Sequence, residues 1–501
     1  MPEPRRAAIT VSVMMASILQ TLDTTIANVA LPHIRGSIAA SSEQMSWVLT
    51  SYIVAAAITT PLCGWLAGRY GRKKVLVISV LGFTITSALC GMAQTVGQIV
   101  VFRLLQGASG SSLVPLSQAV LLDINPPERQ GRAAAAWGMG VLMGPILGPV
   151  LGGWLTENYS WRWAFYLNVP FGVLSMIGIM SFLHEGTTRK SRFDFLGFAS
   201  LTLAVGALQI MLDRGELLDW FASTEIWIEA IVAGGAFYVF LVHTFTARVT
   251  PFVSPAMFAD RNFAAGALIM SVVAIVLLST LALLPTLMQD LMGYPVAYAG
   301  VMTAPRGVGA LLTTALIGRF VGRVDPRLFV GMGLSLTAVS LWQMSGFSPL
   351  MDERLIILSG SIQGVGTGLT WLSLAAVSFT TLAPAYRYEA TAIFNLLRNI
   401  GGSIGIAITQ ALLTRNTQIM HARLTEHLSK YGTPAGGVLP VDVSAPHGLA
   451  MLDSLVTQQA AFIAYNANFR IMFFVTLAVI PLVMLLRGSG TAASTLRERR
   501  P

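Results

Sequence analysis

Long apolar stretches alternate with short charged clusters from one end of this chain to the other. Each apolar stretch runs about 17–25 residues, the length a helix needs to cross ~30 Å of hydrocarbon. Inside hydrocarbon a chain satisfies its own backbone only as helices or as a closed barrel. Of the 501 residues 54% are hydrophobic and 11% charged, against roughly a quarter charged in soluble domains. The expected fold class is therefore an all-α integral membrane protein. Hydropathy places about fourteen spans, at 7–33, 47–67, 75–93, 98–122, 133–156, 163–183, 195–211, 226–246, 264–289, 297–318, 328–346, 355–380, 390–415 and 468–486. Arg470 trims the apolar core of the last.

The charges sort by side. With the N-terminus inside, the inner loops collect "GRYGRKK", "PPERQGR", "TTRKSR", Arg248 and Arg261, "GRFVGRVDPR", Arg387 and the tail "RERR", and about 21 of the 32 Lys and Arg fall on the inner side. That is the positive-inside pattern, and it predicts both termini to be cytoplasmic. It also explains the net charge of +9 without nucleic acid. Arg5 and Arg6 precede an apolar region too long for a secretory signal, so an uncleaved first span is expected. Cys63 and Cys90 both lie inside spans and imply no disulfide framework. The longest loop, 416–467, falls outside; it is polar and reads as a disordered lid or a docking surface.

The chain echoes itself. At an offset of 257 residues "QGASG" from Gln106 aligns with "QGVGTG" from Gln363, Pro127 with Pro384, Ala133 with Ala390, Gly144 with Gly401 and Gly148 with Gly405. At a neighbouring offset of 254, Gly64 meets Gly318, Gly68 meets Gly322 and Arg69 meets Arg323. A parallel repeat of two six-helix bundles with a site between them is one transporter plan. The expected division is an N-terminal bundle over 1–185, two inserted helices over 186–262, and a C-terminal bundle over 263–501 that carries the 416–467 loop.

Several positions carry chemistry. In "GPILGPVLGG", Gly144, Gly148 and Gly152 recur every fourth residue and clear one helix face, with Gly153 beside them. A neighbouring backbone can approach there, as tight packing or as a flexing seam. Pro145 and Pro149 can bend the helix. Asp23 is a full charge in the first span, ten residues before His33 and so ~15 Å from that end. A carboxylate without partners in hydrocarbon takes a proton more readily than it stays charged, the property a proton-coupled pump requires; a fixed ion pair with Arg103 or Arg398 is the alternative. Arg103, Arg306 and Arg398 are intramembrane arginines, functional candidates because such a charge costs at least ~2.5–3.5 kcal/mol to insert. Arg103 lies close enough to a span end to snorkel, and Arg306 reads as structural as easily as substrate-facing.

"LDTTIANVALP" (22–32), "GWLAGRYGRKK" (64–74), "RLLQGASG" (103–110) and "GPILGPVLGG" (144–153) together resemble four successive motifs of the major facilitator superfamily. With fourteen spans, the chain is similar to its drug:proton antiporters of the EmrB/QacA type, the EmrB-like members above all, over essentially its whole length. The resemblance implies a proton-driven multidrug exporter in the bacterial inner membrane. It would work with a periplasmic adaptor (EmrA-like) and an outer-membrane channel (TolC-like). Asp23 would be the proton carrier with Arg103 beside it, and Gly64, Arg69, Gly71, Arg72, Gly144, Pro145, Gly148, Pro149, Gly152 and Gly153 would be conformational positions. One departure is Gly68, where the loop motif usually has an acid, so the family's charge lock cannot operate in its usual form. One charge crossing ~150 mV yields roughly 3.5 kcal/mol, enough for a few-hundred-fold gradient of a neutral drug.

Between the bundles, Gln106, Gln118, Trp371, Asn395 and Arg398 are expected to line the substrate cavity, and the arginines favour neutral or weakly acidic hydrophobic compounds. No metal-spaced His/Cys cluster, paired catalytic carboxylates or phosphate-binding glycine loop appears, so neither a cofactor nor an enzyme is expected. Two other readings remain open: export of one endogenous metabolite or lipid, and a membrane sensor or scaffold without flux.

Overall fold

The computed structural model describes residues 3–38, 40, 42–185, 188, 193–246, 251–320, 324–383, 386–426 and 446–487, and every extended regular element among them is helical. The N-terminal half contains α1 (Glu3–Ser37), α2 (Ser42–Thr59), α3 (Leu62–Tyr70), α4 (Arg72–Met92), α5 (Val96–Gly110), α6 (Leu113–Ile124), α7 (Pro127–Asn158), α8 (Trp163–Tyr166) and α9 (Asn168–Phe182). Then come α10 (Phe195–Arg214) and α11 (Thr224–Thr246), followed by α12 (Arg261–Thr286), α13 (Val296–Phe320), α14 (Pro326–Met344), α15 (Glu353–Thr380), α16 (Arg387–Glu426) and α17 (Pro446–Val479). Each expected span has a helical counterpart. Among the described residues eleven helical segments are long and apolar enough to cross a membrane, and the α2–α3 pair, bent by 52°, makes a twelfth. The helices α7 and α14 occupy the other two expected spans.

Local chemistry sets the helix ends and breaks. Carboxylates of Asp194, Asp260, Asp325 and Asp352 accept backbone N–H bonds at the starts of α10, α12, α14 and α15, satisfying donors that no helical turn reaches. The bend between α2 and α3 falls at Thr60 and Pro61, where proline removes a donor. Gly71, with φ of +91°, turns the chain from α3 into α4, a conformation that favours glycine. Apolar side chains of α11, among them Trp227, Ile231, Phe237, Tyr238 and Phe245, stay exposed, as on a helix that faces lipid.

The internal repeat is visible in the packing. A Cβ on Gly144 or Gly148 of α7 would collide with Thr21 or Thr25 of α1, and one on Gly401 or Gly405 of α16 would collide with the backbone of α12 at Ser271 or Ile275. Likewise a Cβ on Gly107 would strike the Tyr52 carbonyl oxygen, and one on Gly364 the Arg306 carbonyl oxygen. The glycines recur at the 257-residue offset read from the sequence, whereas their partners on α1 and α12, Thr21 with Ser271 and Thr25 with Ile275, lie 250 residues apart.

One expectation is corrected. Most of the 416–467 segment is not loop: α16 continues to Glu426 and α17 begins at Pro446, and His421 Nε2 lies 3.0 Å from Asp453 Oδ1 between these two arms. At 40 residues α16 is ~60 Å long, twice the hydrocarbon thickness. Polarity signals exposure to water and says nothing against helix. The centre of that segment, 427–445, the basic clusters at 189–192, 321–323 and 488–501, and the side chains of Pro145 and Pro149 lie outside the described residues.

Candidate functional site

Asp23 is 1% exposed and is not naked. Arg103 Nη1 donates to its Oδ2 at 2.6 Å, while Gln106 Nε2 and Asn168 Nδ2 donate to its Oδ1 at 2.9 and 2.8 Å. The three donors come from α5 and α9, and α1 supplies the acid. Arg103, also 1% exposed, spends its other groups within the same half: Nη1 reaches Gln106 Oε1 at 2.8 Å, Nε reaches the Val48 carbonyl at 3.3 Å, and the guanidinium lies 4.2 Å from the Tyr52 ring centre. Asn168 Nδ2 also donates to Ser87 Oγ, which donates to the Phe165 carbonyl. Of the two arginines that could have partnered Asp23, the structure selects Arg103, and Arg103 does not snorkel.

Such a cluster is chemically poised. Two opposite charges out of water are tolerable only with good geometry and further hydrogen bonds, and both are present. The cluster ties α1, α2, α5 and α9 together through one buried ion pair and the hydrogen bonds around it.

Gln106 belongs to this cluster, with both ends of its amide engaged, rather than to a cavity between the halves. Asn168, Ser87 and Tyr52 were missed in the sequence because one polar residue in an apolar span carries no signal of its partner. The other expected cavity residues lie elsewhere. Asn395 Nδ2 of α16 donates to Gln118 Oε1 of α6 at 3.3 Å, a bond across the two halves. Arg398 lies 5.3 Å from the Trp371 ring centre and donates to Asn399 Oδ1.

The halves also meet at the loop motif. Arg72 Nη1 donates to Asp123 Oδ2 at 2.6 Å, and Arg387 Nη1 of α16 lies 3.6 Å from Asp123 Oδ1. Asp123, at the end of α6, thus bridges an arginine of each half. A Cβ at Gly68, where the family acid is absent, would meet nothing within 4 Å. Trp65 and Leu122 pack against an apolar cluster built largely from the C-terminal half, Ala134 packs beside Ile317 and Leu369, and Gly138 faces Thr314. Arg69 lies over the Trp65 ring, and Gly64 is buried in α3. On the other seam, Thr25 Oγ1 of α1 donates to the Gly144 carbonyl of α7 at 3.0 Å. Gly152 sits against Ile26, whereas a Cβ on Gly153 would meet open space.

Comparison with known proteins agrees with this architecture. Fatty acid resistance protein FarB of Neisseria gonorrhoeae is 36% identical over 487 residues, covering 96% of each chain. Multidrug export protein EmrB of Escherichia coli K12 is 36% identical over 495 residues, again covering 96% of each. The solved structure of the proton:xylose symporter XylE superposes with a TM-score of 0.63 over 96% of this chain and 97% of that one, at 14% identity. The model of the Major Facilitator Superfamily matches residues 13–406. On the paired helix bundles, the repeated glycine seams and these matches, this chain belongs to the Major Facilitator Superfamily.

Proposed function

We propose that the protein is a proton-driven exporter of hydrophobic toxic compounds, working across the bacterial inner membrane with both termini in the cytoplasm. The observation that carries this reading is the buried Asp23–Arg103 pair, in a chain that aligns over nearly its full length with an export protein. Asp23 takes up a proton from outside and releases it inside, and its protonation state selects between two packings of the halves. The functional units are a bundle over 1–185, an inserted pair over 186–262 and a bundle over 263–501. Gln118, Trp371, Asn395 and Arg398 contact the compound between the bundles, and Gln106 acts through Asp23. The glycines of α7 are the seam along which α1 shifts. The helical arms of α16 and α17 are the surface that meets a periplasmic adaptor of the EmrA kind, which in turn reaches a TolC-like outer channel.

The test is transport in proteoliposomes. With a pH step imposed, a fluorescent hydrophobic dye moves against its gradient in wild type, and Asp23→Asn abolishes that movement while dye still binds. Movement that survives Asp23→Asn would place the proton elsewhere. A second reading, export of an amphipathic acid, is favoured by equal identity to a fatty acid resistance protein.

A further inference from the structure

A carboxylate only accepts hydrogen bonds, whereas a carboxylic acid has one hydrogen to give. A buried carboxylate that takes up a proton therefore needs one neighbour to change from donor to acceptor. The bonds around Asp23 single that neighbour out. Its Oδ2 accepts from Arg103 at 2.6 Å, and its Oδ1 accepts from Gln106 and Asn168 at 2.9 and 2.8 Å. A carbonyl oxygen is a better acceptor than a hydroxyl oxygen, so the proton belongs on Oδ1, which leaves Oδ2 as the carbonyl facing the guanidinium. The new O–H then points at whichever amide can turn over.

Gln106 is held in place. Its Oε1 accepts from Arg103 Nη1 at 2.8 Å and from Cys90 Sγ of α4 at 3.6 Å, so an overturned amide would set donors against donors. Asn168 has no such restraint. It is fully buried at the start of α9, its Nδ2 also donates to Ser87 Oγ at 3.0 Å, and among the described residues its Oδ1 has no hydrogen-bond partner. An idle buried acceptor is uncommon and calls for a reason. Ser87 suits either orientation, because its hydroxyl now donates to the Phe165 carbonyl and can turn its hydrogen to Asn168 instead. Among the described residues the other titratable or charged groups around Asp23 are Arg103, Tyr52 of α2 and Cys90. None of them offers the acceptor: arginine has none, the Tyr52 hydroxyl has no hydrogen-bond partner, and Cys90 is turned to Gln106.

We propose that Asn168 registers the proton on Asp23: its Nδ2 donates to the charged carboxylate, and its amide turns over so that Oδ1 accepts the hydrogen of the neutral acid. One end of the amide is idle in either orientation, whereas a fixed amide would face the new O–H with an N–H. The only covalent change is the O–H bond formed on Asp23 with a proton from outer water and broken when that proton leaves inside. Asn168 is thus a positioning residue, which acts through Asp23 and passes its charge state from α1 to α9 and, through Ser87, to α4. This deepens the reading of Asp23 as the proton carrier and rests on it.

The experiment is infrared difference spectroscopy on the full chain in vesicles, stepped from alkaline to acid pH, with asparagine carrying ¹³C at its side-chain carbonyl. Acidification should raise a protonated-carboxyl band that is absent in Asp23→Asn. With it, one labelled carbonyl band should move to lower frequency as Asn168 Oδ1 gains a hydrogen bond, and this movement should vanish in Asn168→Ser while the carboxyl band remains. An Asp23 carboxyl band without an Asn168-dependent carbonyl shift would overturn the proposal. Absence of any Asp23-dependent carboxyl band would instead overturn the proton-carrier reading beneath it. In transport, Asn168→Leu should slow the pH-driven movement of dye roughly two- to ten-fold, the value of one hydrogen bond, and Asn168→Ser, which can both give and accept, should recover part of it. Undiminished transport in Asn168→Leu would also overturn the proposal, and the labelled wild type supplies the test if that variant does not fold.

Discussion

The Asp23–Arg103 pair concentrates opposite charges where neither touches water, so its members should be far from interchangeable. Arg103→Ala leaves a buried carboxylate with two amide donors, and breaking such a pair costs about 3–5 kcal/mol. Arg103→Lys should restore little of this, because a lysine cannot reach Asp23, Gln106 and the Val48 carbonyl at once while stacking on Tyr52. The double change Asp23→Asn with Arg103→Gln should unfold at a higher temperature than Arg103→Ala alone. Thermal unfolding of the purified variants checks this order; equal loss in all three would mean that the pair is not what holds these helices together.

Helix seams make a different kind of claim. Gly148 gives α1 room for Thr25, so Gly148→Ala forces the two helices apart and should reduce transport while the protein still reaches the membrane. Gly153→Ala, only five positions on, should be tolerated, because its Cβ would meet open space. Transport assayed at equal expression separates the two. The Asp194 cap joins three segments: its carboxylate accepts from the Gly197 N–H, the Phe252 N–H and His243. Burial opposes the charge of Asp194, but these hydrogen bonds outweigh it and hold the carboxyl below its usual range. A carboxyl depressed in the folded state stabilises above its unfolded pKa and stops doing so as pH falls through the folded value. Asp194→Ala should therefore be less stable than wild type at pH 7, by about 1 kcal/mol for the lost cap. The difference should shrink only once pH drops below about 4, as followed by unfolding curves at several pH values.

Across the whole molecule, Asp123 holds one arginine from each half, so it should bias which face of the protein is closed. Each such pair is part-exposed and contributes up to about 1 kcal/mol. Asp123→Asn should thus shift the ratio of the two conformations by a few-fold to about ten-fold towards opening on the Arg72 side. The charge swap of Asp123→Arg with Arg387→Asp should restore part of the closure. Spin-label distances between the ends of α6 and α16 read this directly, and an unchanged distance distribution in Asp123→Asn would show that apolar packing around Trp65 and Leu122 closes that face unaided.

Spans, the 257-residue offset of the repeated glycines, the glycine ladder of α7 and the costly charge at Asp23 were legible in the amino-acid sequence, because each follows from local rules: hydrocarbon length, helical spacing and the cost of charge in lipid. Local rules do not say what lies across a contact. Gln106 looked like a cavity residue until α5 was seen to turn it onto Asp23, and Asn168 carried no signal at all. Polarity suggested loop in 416–426 and 446–467, where the chain forms helix. No local signal said that Asp123, at the end of α6, pairs with Arg72 and Arg387. The sequence by itself determined which segments are buried in lipid and which residues are too costly there to be idle. Only the tertiary structure decided which of them meet, because partner choice depends on helix rotation and crossing, and those are set by packing between segments far apart in the chain.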